Sequence, residues 1–207
     1  MTDALNHLAD RKAFDVAFKK AVAVADQAGA SASVAVVDVD LLGQINSAQG
    51  RDCGDDALVH VAECLGTIVS DSNTLYRFGG DAFSVILLDT EKEQAFLVLE
   101  EVRKALEVAD SNGLGQQVQI SAGLASYPDD GSKSKGIVHK ANEALYRAKV
   151  SGRNKICLAR EEKMVTKTSH YMQGQLMGLR RLAERESISE SVLLREALND
   201  LLRKYNS

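Results

Sequence analysis

The chain is poor in the residues that build disulfide scaffolds, membrane spans or flexible low-complexity segments. Its 207 residues include one proline and three cysteines, Cys53, Cys64 and Cys157. The cysteine number is odd and no pair has metal-ligand spacing, so the thiols are expected to be reduced. No apolar run approaches the ~18 residues that cross a bilayer. The opening stretch "MTDALNHLADRKAF" has neither a basic nor an apolar region of the kind a signal peptide needs. A cytoplasmic protein with no membrane partner is the expectation. No internal repeat is present. What remains is an ordered composition: 45% hydrophobic, 26% charged, enough to bury one sizeable core. The net charge of −4 is uneven. Residues 164–207 carry +2, so the rest carries −6. A mildly basic end on an acidic body hints at an anionic partner for that end.

Hydrophobic periodicity divides the chain. Phe14, Ala17, Phe18, Ala21, Val22 and Ala25 share a helical face that ends at Gly29. "SASVAVVDVD" reads as a buried strand that emerges into acids. "GDDALVHVAECLGTIV" reads as a helix. "LYRF" and "DAFSVILL" are β-rich runs joined by Gly79 and Gly80, a hairpin signature. "EKEQAFLVLEEVRKALEVA" is a long amphipathic helix, "QQVQISAGLASYP" a strand, "GIVHKANEALYRAKVSG" a helix and "NKICLA" a last strand. The sum is an α/β or α+β sheet of about five strands covered by helices. The pattern closes near Ala159, which gives domains 1–160 and 161–207.

The chemistry-bearing residues cluster at two places. Asp38 and Asp40, one residue apart at a strand end, fall on the same face. Such acids suit a hard divalent cation, although a solvated strand end has the same pattern. The glycine hairpin adds Asp81. Glycines let backbone N–H groups come close to phosphates. If the hairpin lies beside the Asp38 strand, Asp38 and Asp81 share Mg²⁺ on a nucleotide triphosphate, the arrangement that drives phosphoryl transfer.

These segments resemble the GGDEF (diguanylate cyclase) domain. "TDALNHLADRKAF", "DVDLLGQINSAQGRDCGDDAL", "YRFGGDAF", "SAGLASYPDDG" and "ANEALYRAKVSGRNKI" follow the family's motifs in order, from Thr2 to about Ala159. The resemblance implies an α+β, ferredoxin-like nucleotidyl-cyclase fold. Active members condense two GTP molecules into cyclic di-GMP across a dimer. By the same resemblance Asp38 and Asp81 are metal-linked, and Mg²⁺ enters only with bound nucleotide. Asn46 and Asp55 fall where guanine is read. Gly79 and Gly80 form the signature turn, and Lys149 and Arg153 fall where phosphates are contacted. The chain departs from the family pattern at four positions near the reaction centre. Ala82 stands where Glu is usual, Gly43 where a phosphate-binding Lys is usual, Leu42 for Phe and Ser47 for an acid. Ser70 and Asn73 stand where the product-inhibition Arg and Asp are found. Losing preorganised charge costs ~10²–10³-fold per group. The expectation from Ala82 and Gly43 is therefore a protein that is not an enzyme, with no catalytic residue, and with GTP or another guanine nucleotide as a ligand.

The last segment restarts in another style. "VTKTSHYM" alternates, and Leu176, Leu179, Leu182 and Ala183 share one helical face. Val192, Leu193, Ala197, Leu198 and Leu201 share another. A unit of about 44 residues is too small to stand alone. It resembles the ribbon-helix-helix DNA-binding family, obligate dimers whose paired strands enter the major groove. That resemblance implies a homodimer through residues 164–207, with DNA as partner. It places Thr166, Thr168 and His170 towards the bases, Lys167 as a long-range attractor, and Ser189 and Ser191 at a helix start that meets a phosphate. Glu190 opposes that phosphate contact, and Met172 stands where proline is common. The leading expectation is a dimeric transcriptional regulator whose GGDEF domain senses a guanine nucleotide. The alternatives are an active diguanylate cyclase and a protein-interaction platform.

Overall fold

The computed structural model describes residues 5, 7–69, 74–108, 118–159, 169–186 and 189–205. The chain divides into two compact units, Met1–Glu162 and Lys163–Ser207.

In the first unit, α1 (Arg11–Ala28) is capped by the Asp10 carboxylate, which accepts from the Ala13 N–H at 2.9 Å, and is closed by Gly29 at φ +63°. Then follow β1 (Ala32–Val39), α2 (Leu42–Gln49), α3 (Arg51–Ile68), β2 (Leu75–Gly79), β3 (Ala82–Leu88), α4 (Lys92–Val108), β4 (Ile120–Tyr127), α5 (Ser134–Val150) and β5 (Ile156–Leu158). The strands make one sheet in the order β2-β3-β1-β4-β5. All neighbours are antiparallel except β4 and β5. The core β1–helix–β2–β3–helix–β4, with spatial order 4-1-3-2, is the split βαβ arrangement of ferredoxin-like α+β folds.

β1 is buried on both faces, which explains its unbroken run of small and β-branched residues. Val34 and Val36 meet α1 and α5 through Phe14, Phe18, Ile137 and Ala141. Ala35 and Val37 meet α3 and α4 through Val61, Leu65, Leu99 and Val102. Phe14 stacks on Phe18 and meets Tyr76 and Phe78 edge-on. Helix α5 comes so close to β4 that a Cβ at Gly123 would lie 2.0 Å from the Ala141 carbonyl oxygen. The periodicity located every strand and four of these five helices. It missed α2, a short helix of low amphipathicity between two glycines, Gly43 at its start and Gly50 at its end.

The second unit contains α6 (Gln173–Glu186) and α7 (Glu190–Tyr205). The expected ribbon strand falls mostly outside the described residues, Thr166, Lys167 and Thr168 included. Its described part, residues 169–172, is in no strand and is exposed, His170 with it. A ribbon of this kind needs a second chain to pair with, so one chain by itself has no ladder to form. The helix faces expected to turn inward are covered in part in the single chain: Leu179, Leu182, Ala183 and Leu193 are half-buried, while Leu176, Leu198 and Leu201 remain 43%, 55% and 52% exposed. Among the described residues no helix is long and apolar enough to cross a membrane.

Candidate functional site

The site forms where β1 ends, between the β2–β3 turn and the C-terminus of α5. Hydrogen-bond register fixes this. Asp38 lies directly opposite Ala82 across the β1–β3 ladder. One step on, the Val39 N–H donates to the Asp81 carbonyl at 3.1 Å. The glycine turn is thereby held against the end of β1. Gly79 and Gly80 adopt φ +96° and +60°, which only glycine takes at little cost. Directly opposed residues project on the same face of a sheet, with Cβ atoms roughly 5 Å apart. The methyl of Ala82 therefore stands beside the Asp38 carboxylate.

Asp38 is buried, 7% exposed. Burial pushes its carboxyl above the ordinary value of 3.8, and the nearby charges of Asp81 and Asp40 push the same way. Lys149 opposes them, its Nζ 2.7 Å from Asp38 Oδ1. Lys149 sits in the last turn of α5, where the helix dipole also favours a cation. Asp38 and Asp81 thus form an acidic pair, and the Lys149 ammonium sets one positive charge against it. Hard carboxylate oxygens at a buried strand end fit Mg²⁺, with Asp38 and Asp81 as the residues to hold it. Among the described residues no group of three or more His, Cys, Asp or Glu is gathered for a metal.

Asp40 shares Asp38's face but not its role. It is 5% exposed, and both its oxygens accept from the Ser121 hydroxyl, at 2.8 and 2.9 Å. Oδ2 also accepts from the Asn154 backbone N–H at 2.9 Å. The sequence pattern offered Asp38 and Asp40 as equals; the β4 serine and the turn after α5 claim Asp40. That turn carries Gly152, Arg153 and Asn154 at φ +111°, +60° and +44°. Left-handed non-glycine residues cost of order 1–3 kcal/mol each, so surrounding bonds must hold them. Arg153 is exposed there, just beyond the helix that carries Lys149.

The other flank of the site is built by α2 and α3. Asn46 is half-buried against Gly54, where a Cβ would fall 1.9 Å from Asn46 Oδ1. A side chain at 54 would push the Asn46 amide out of this position. Sequence reading singled out Asn46 and passed over Gly54, although a glycine in the first turn of a helix is a signal of close approach. Asp55 follows it and is exposed. Gly43 is exposed in the first turn of α2, with open space where a Cβ would point. The structure thus brings Asp38, Asp81, Lys149 and the glycine turn together, with Asn46 and Asp55 on the adjoining helix pair. The Ser70 and Asn73 positions lie outside the described residues. In the second unit the Ser189 and Ser191 hydroxyls lie 3.0 Å apart at the start of α7.

A ferredoxin-like sheet that ends in paired carboxylates beside a glycine turn defines a nucleotidyl-cyclase type of domain. The match to "Diguanylate cyclase, GGDEF domain" over residues 1–155 shows that the chain belongs to the GGDEF family. It is 35% identical to diguanylate cyclase A of Treponema denticola over 62% of this chain and 35% of that protein. It is 29% identical to a diguanylate cyclase of Vibrio cholerae, over 77% of this chain and 50% of that protein. Against diguanylate cyclase DosC of Escherichia coli it is 30% identical over 74% of this chain and 34% of that protein. The chain therefore spans about a third to a half of the length of these relatives. Among solved structures, the active GGEEF domain of a diguanylate cyclase from Vibrio cholerae superposes with TM-score 0.69 at 28% identity, covering 75% of this chain and all of that one. The GGDEF domain of DgcB from Caulobacter crescentus, in complex with c-di-GMP, superposes with TM-score 0.66 at 27% identity, over 74% and 92%.

These comparisons overturn one expectation. The chain was read as not an enzyme because of Ala82 and Gly43. The relatives are diguanylate cyclases and a superposable domain is an active one, and nothing in them points to inactivity. Nor do they bear on DNA binding; the family match ends at residue 155, before the second unit.

Proposed function

We propose that this chain is a diguanylate cyclase domain: it takes GTP and joins two molecules into cyclic di-GMP. The observation that carries the reading is the acidic pair Asp38 and Asp81 at the end of β1, where the charge of Asp81 acts on the buried Asp38 carboxyl and Lys149 lies 2.7 Å from it.

Each residue has a task that follows from its chemistry. Asn46, seated against Gly54, and Asp55 pair with the donor and acceptor edge of guanine. The backbone N–H groups of the Gly79–Gly80 turn approach the phosphates, and Lys149 and Arg153 contribute positive charge to them. Asp38 and Asp81 hold Mg²⁺ with the nucleotide, and the ion when bound neutralises phosphate charge. In the reaction a ribose 3′-hydroxyl attacks the α-phosphorus of the other GTP. An O–P bond forms, the bond to pyrophosphate breaks, and the hydroxyl proton leaves to solvent. The step occurs twice and releases two pyrophosphates. Since each domain holds one GTP, two copies must face each other. The exposed leucines of α6 and α7 support self-association of the second unit as the means.

Ala82 and Gly43 leave the centre with less charge than the family pattern. The proposed activity is correspondingly slow, by ~10²–10³-fold for each missing group. Purified protein with GTP and Mg²⁺ should form cyclic di-GMP, and Ala82→Glu should form it faster. Absence of product from both would refute the reading.

DNA contact by residues 161–207, with cytoplasmic location, remains a separate proposal supported by the ribbon-helix-helix resemblance and the same exposed leucines. A mobility shift on genomic fragments that weakens steeply with salt would support it; no shift at low salt would remove it.

A further inference from the structure

The Asp40 carboxylate stands within one residue of the acidic centre and belongs to a different device. It is buried, its Oδ1 accepts from the Ser121 hydroxyl and its Oδ2 from the Asn154 backbone N–H at 2.9 Å. Asn154 is gripped from the other side as well. Its side-chain amide donates to Glu107 Oε1 at 2.6 Å, and Arg103 Nη1 donates to its carbonyl oxygen at 3.3 Å. Arg103 in turn binds Glu107 at 2.7 Å and Glu100 at 3.0 Å. The hydrogen bond from Asn154 is the first cause that pulls the Glu107 carboxyl below its ordinary value of 4.5, in line with an ionised acceptor. One asparagine therefore ties α4 and the end of β1 to the turn that follows α5, and Asp40 extends the tie to β4 through Ser121.

We infer that Asp40 is a positioning residue: its carboxylate clamps the 151–155 turn in its left-handed conformation, and so sets where Arg153 and the end of the Lys149 helix present positive charge. Three features argue for a clamp over a ligand. Both oxygens of Asp40 already accept hydrogen bonds, whereas Asp38 has an ion pair to Lys149 through Oδ1. The turn holds three consecutive residues at positive φ, two of which are not glycine, and such a turn needs outside bonds to persist. The half-buried Asn154 N–H would lose its carboxylate acceptor without Asp40, a loss of one charge-assisted hydrogen bond. The consequence for phosphate binding rests on the cyclase reading; the clamp itself does not.

The clamp and the ligand predict opposite behaviour for the isosteric variant. Asparagine at 40 keeps an acceptor for the Asn154 N–H and a donor for the Ser121 oxygen, but lacks the charge a metal needs. Amide hydrogen exchange at Arg153 and Asn154 is measured first, on the full chain without nucleotide. Affinity for Mg²⁺·GTP and the Mg²⁺ concentration for half-maximal binding are measured second. Asp40→Ala should speed Asn154 exchange and weaken Mg²⁺·GTP binding by about 10-fold or more, the loss of one hydrogen bond to a charged group. Asp40→Asn should stay within about 3-fold of wild type on both, with an unchanged Mg²⁺ requirement. Exchange at Asn154 that ignores Asp40→Ala overturns the clamp. So does an Asp40→Asn variant with a raised Mg²⁺ requirement, and that comparison stands even if Asp40→Ala fails to fold. If wild type binds no Mg²⁺·GTP, the cyclase reading falls while the exchange data still decide the clamp.

Discussion

The two flanks of Asp38 are furnished unequally. On the α5 side Lys149 sits 2.7 Å away, and the Asp40–Asn154 bond holds the following turn in place. On the hairpin and α2 side stand a methyl, Ala82, opposite Asp38, and a hydrogen, Gly43, with open space beside it. Each flank's turn is bonded to the end of β1, through Val39 N–H to the Asp81 carbonyl and Asn154 N–H to Asp40, so the difference is one of side-chain charge and not of fold. A site can therefore keep its geometry intact and lose electrostatic strength on one side only. The bare flank is where a gain is available, and the furnished flank is where a loss is expected.

Four changes sharpen or break this contrast. The largest effect is expected from Asp38→Ala, which removes the buried carboxylate and leaves Lys149 without its partner. Cyclic di-GMP formation should fall by about 10³-fold or more, as when preorganised charge is lost at a reacting centre. Residual turnover close to wild type would place the centre elsewhere. Next, Ala82→Glu sets a carboxylate directly across the ladder from Asp38 and should raise the rate by ~10²-fold. Gly43→Lys, which meets open space, should add to it, and a double variant no faster than wild type would show that the bare flank is not limiting. Gly54→Ala should weaken GTP binding by about 10-fold, because its methyl displaces the Asn46 side chain. Inosine triphosphate, which lacks the guanine amino group, should be affected less if Asn46 or Asp55 reads that group.

The smallest effect concerns stability. The Asp38 carboxyl is raised in the folded state, so the folded protein binds more protons than the unfolded chain above the ordinary value of 3.8. Stability from this group is full below that value and is lost as pH rises through the folded value. Asp38→Asn removes that loss. Its melting temperature, relative to wild type, should be higher near pH 8 than near pH 3.5. A difference independent of pH would mean that the pairing with Lys149 fully offsets the burial.

The main lines of this contrast were legible in the sequence. The strand "SASVAVVDVD" and the Gly-Gly hairpin follow from residue type and period, and their pairing is what brings the glycine turn and Asp81 to the end of β1. The motif order offered Asn46, Asp55, Lys149 and Arg153 as members of one site, and of these Lys149 lies 2.7 Å from Asp38. Three features were not legible. Asp40 has the same residue type and phase as Asp38, and only tertiary contact with Ser121 and Asn154 separates them. The helix α2 has little hydrophobic asymmetry, so period carries no signal over Leu42–Gln49. Gly54 supports Asn46 through space that a glycine leaves empty, which a sequence records as absence. Activity was misjudged for a related reason: Ala82 and Gly43 were weighed as isolated losses, while the relatives carry the chemistry on the shared scaffold. In the second unit, Leu198 and Leu201, expected to face inward, are exposed in the single chain, and the expected ribbon strand lies mostly outside the described residues, with no strand at 169–172.

The central claim is that the Asp38–Asp81 pair on this scaffold still turns GTP over. Incubating purified full-length protein with GTP and Mg²⁺, then resolving products by chromatography and mass, tests it most directly. The account predicts cyclic di-GMP and pyrophosphate from wild type, more from Ala82→Glu, and none from Asp81→Ala placed in either background. No cyclic di-GMP from wild type or Ala82→Glu, or equal product from the Asp81→Ala variants, would contradict it.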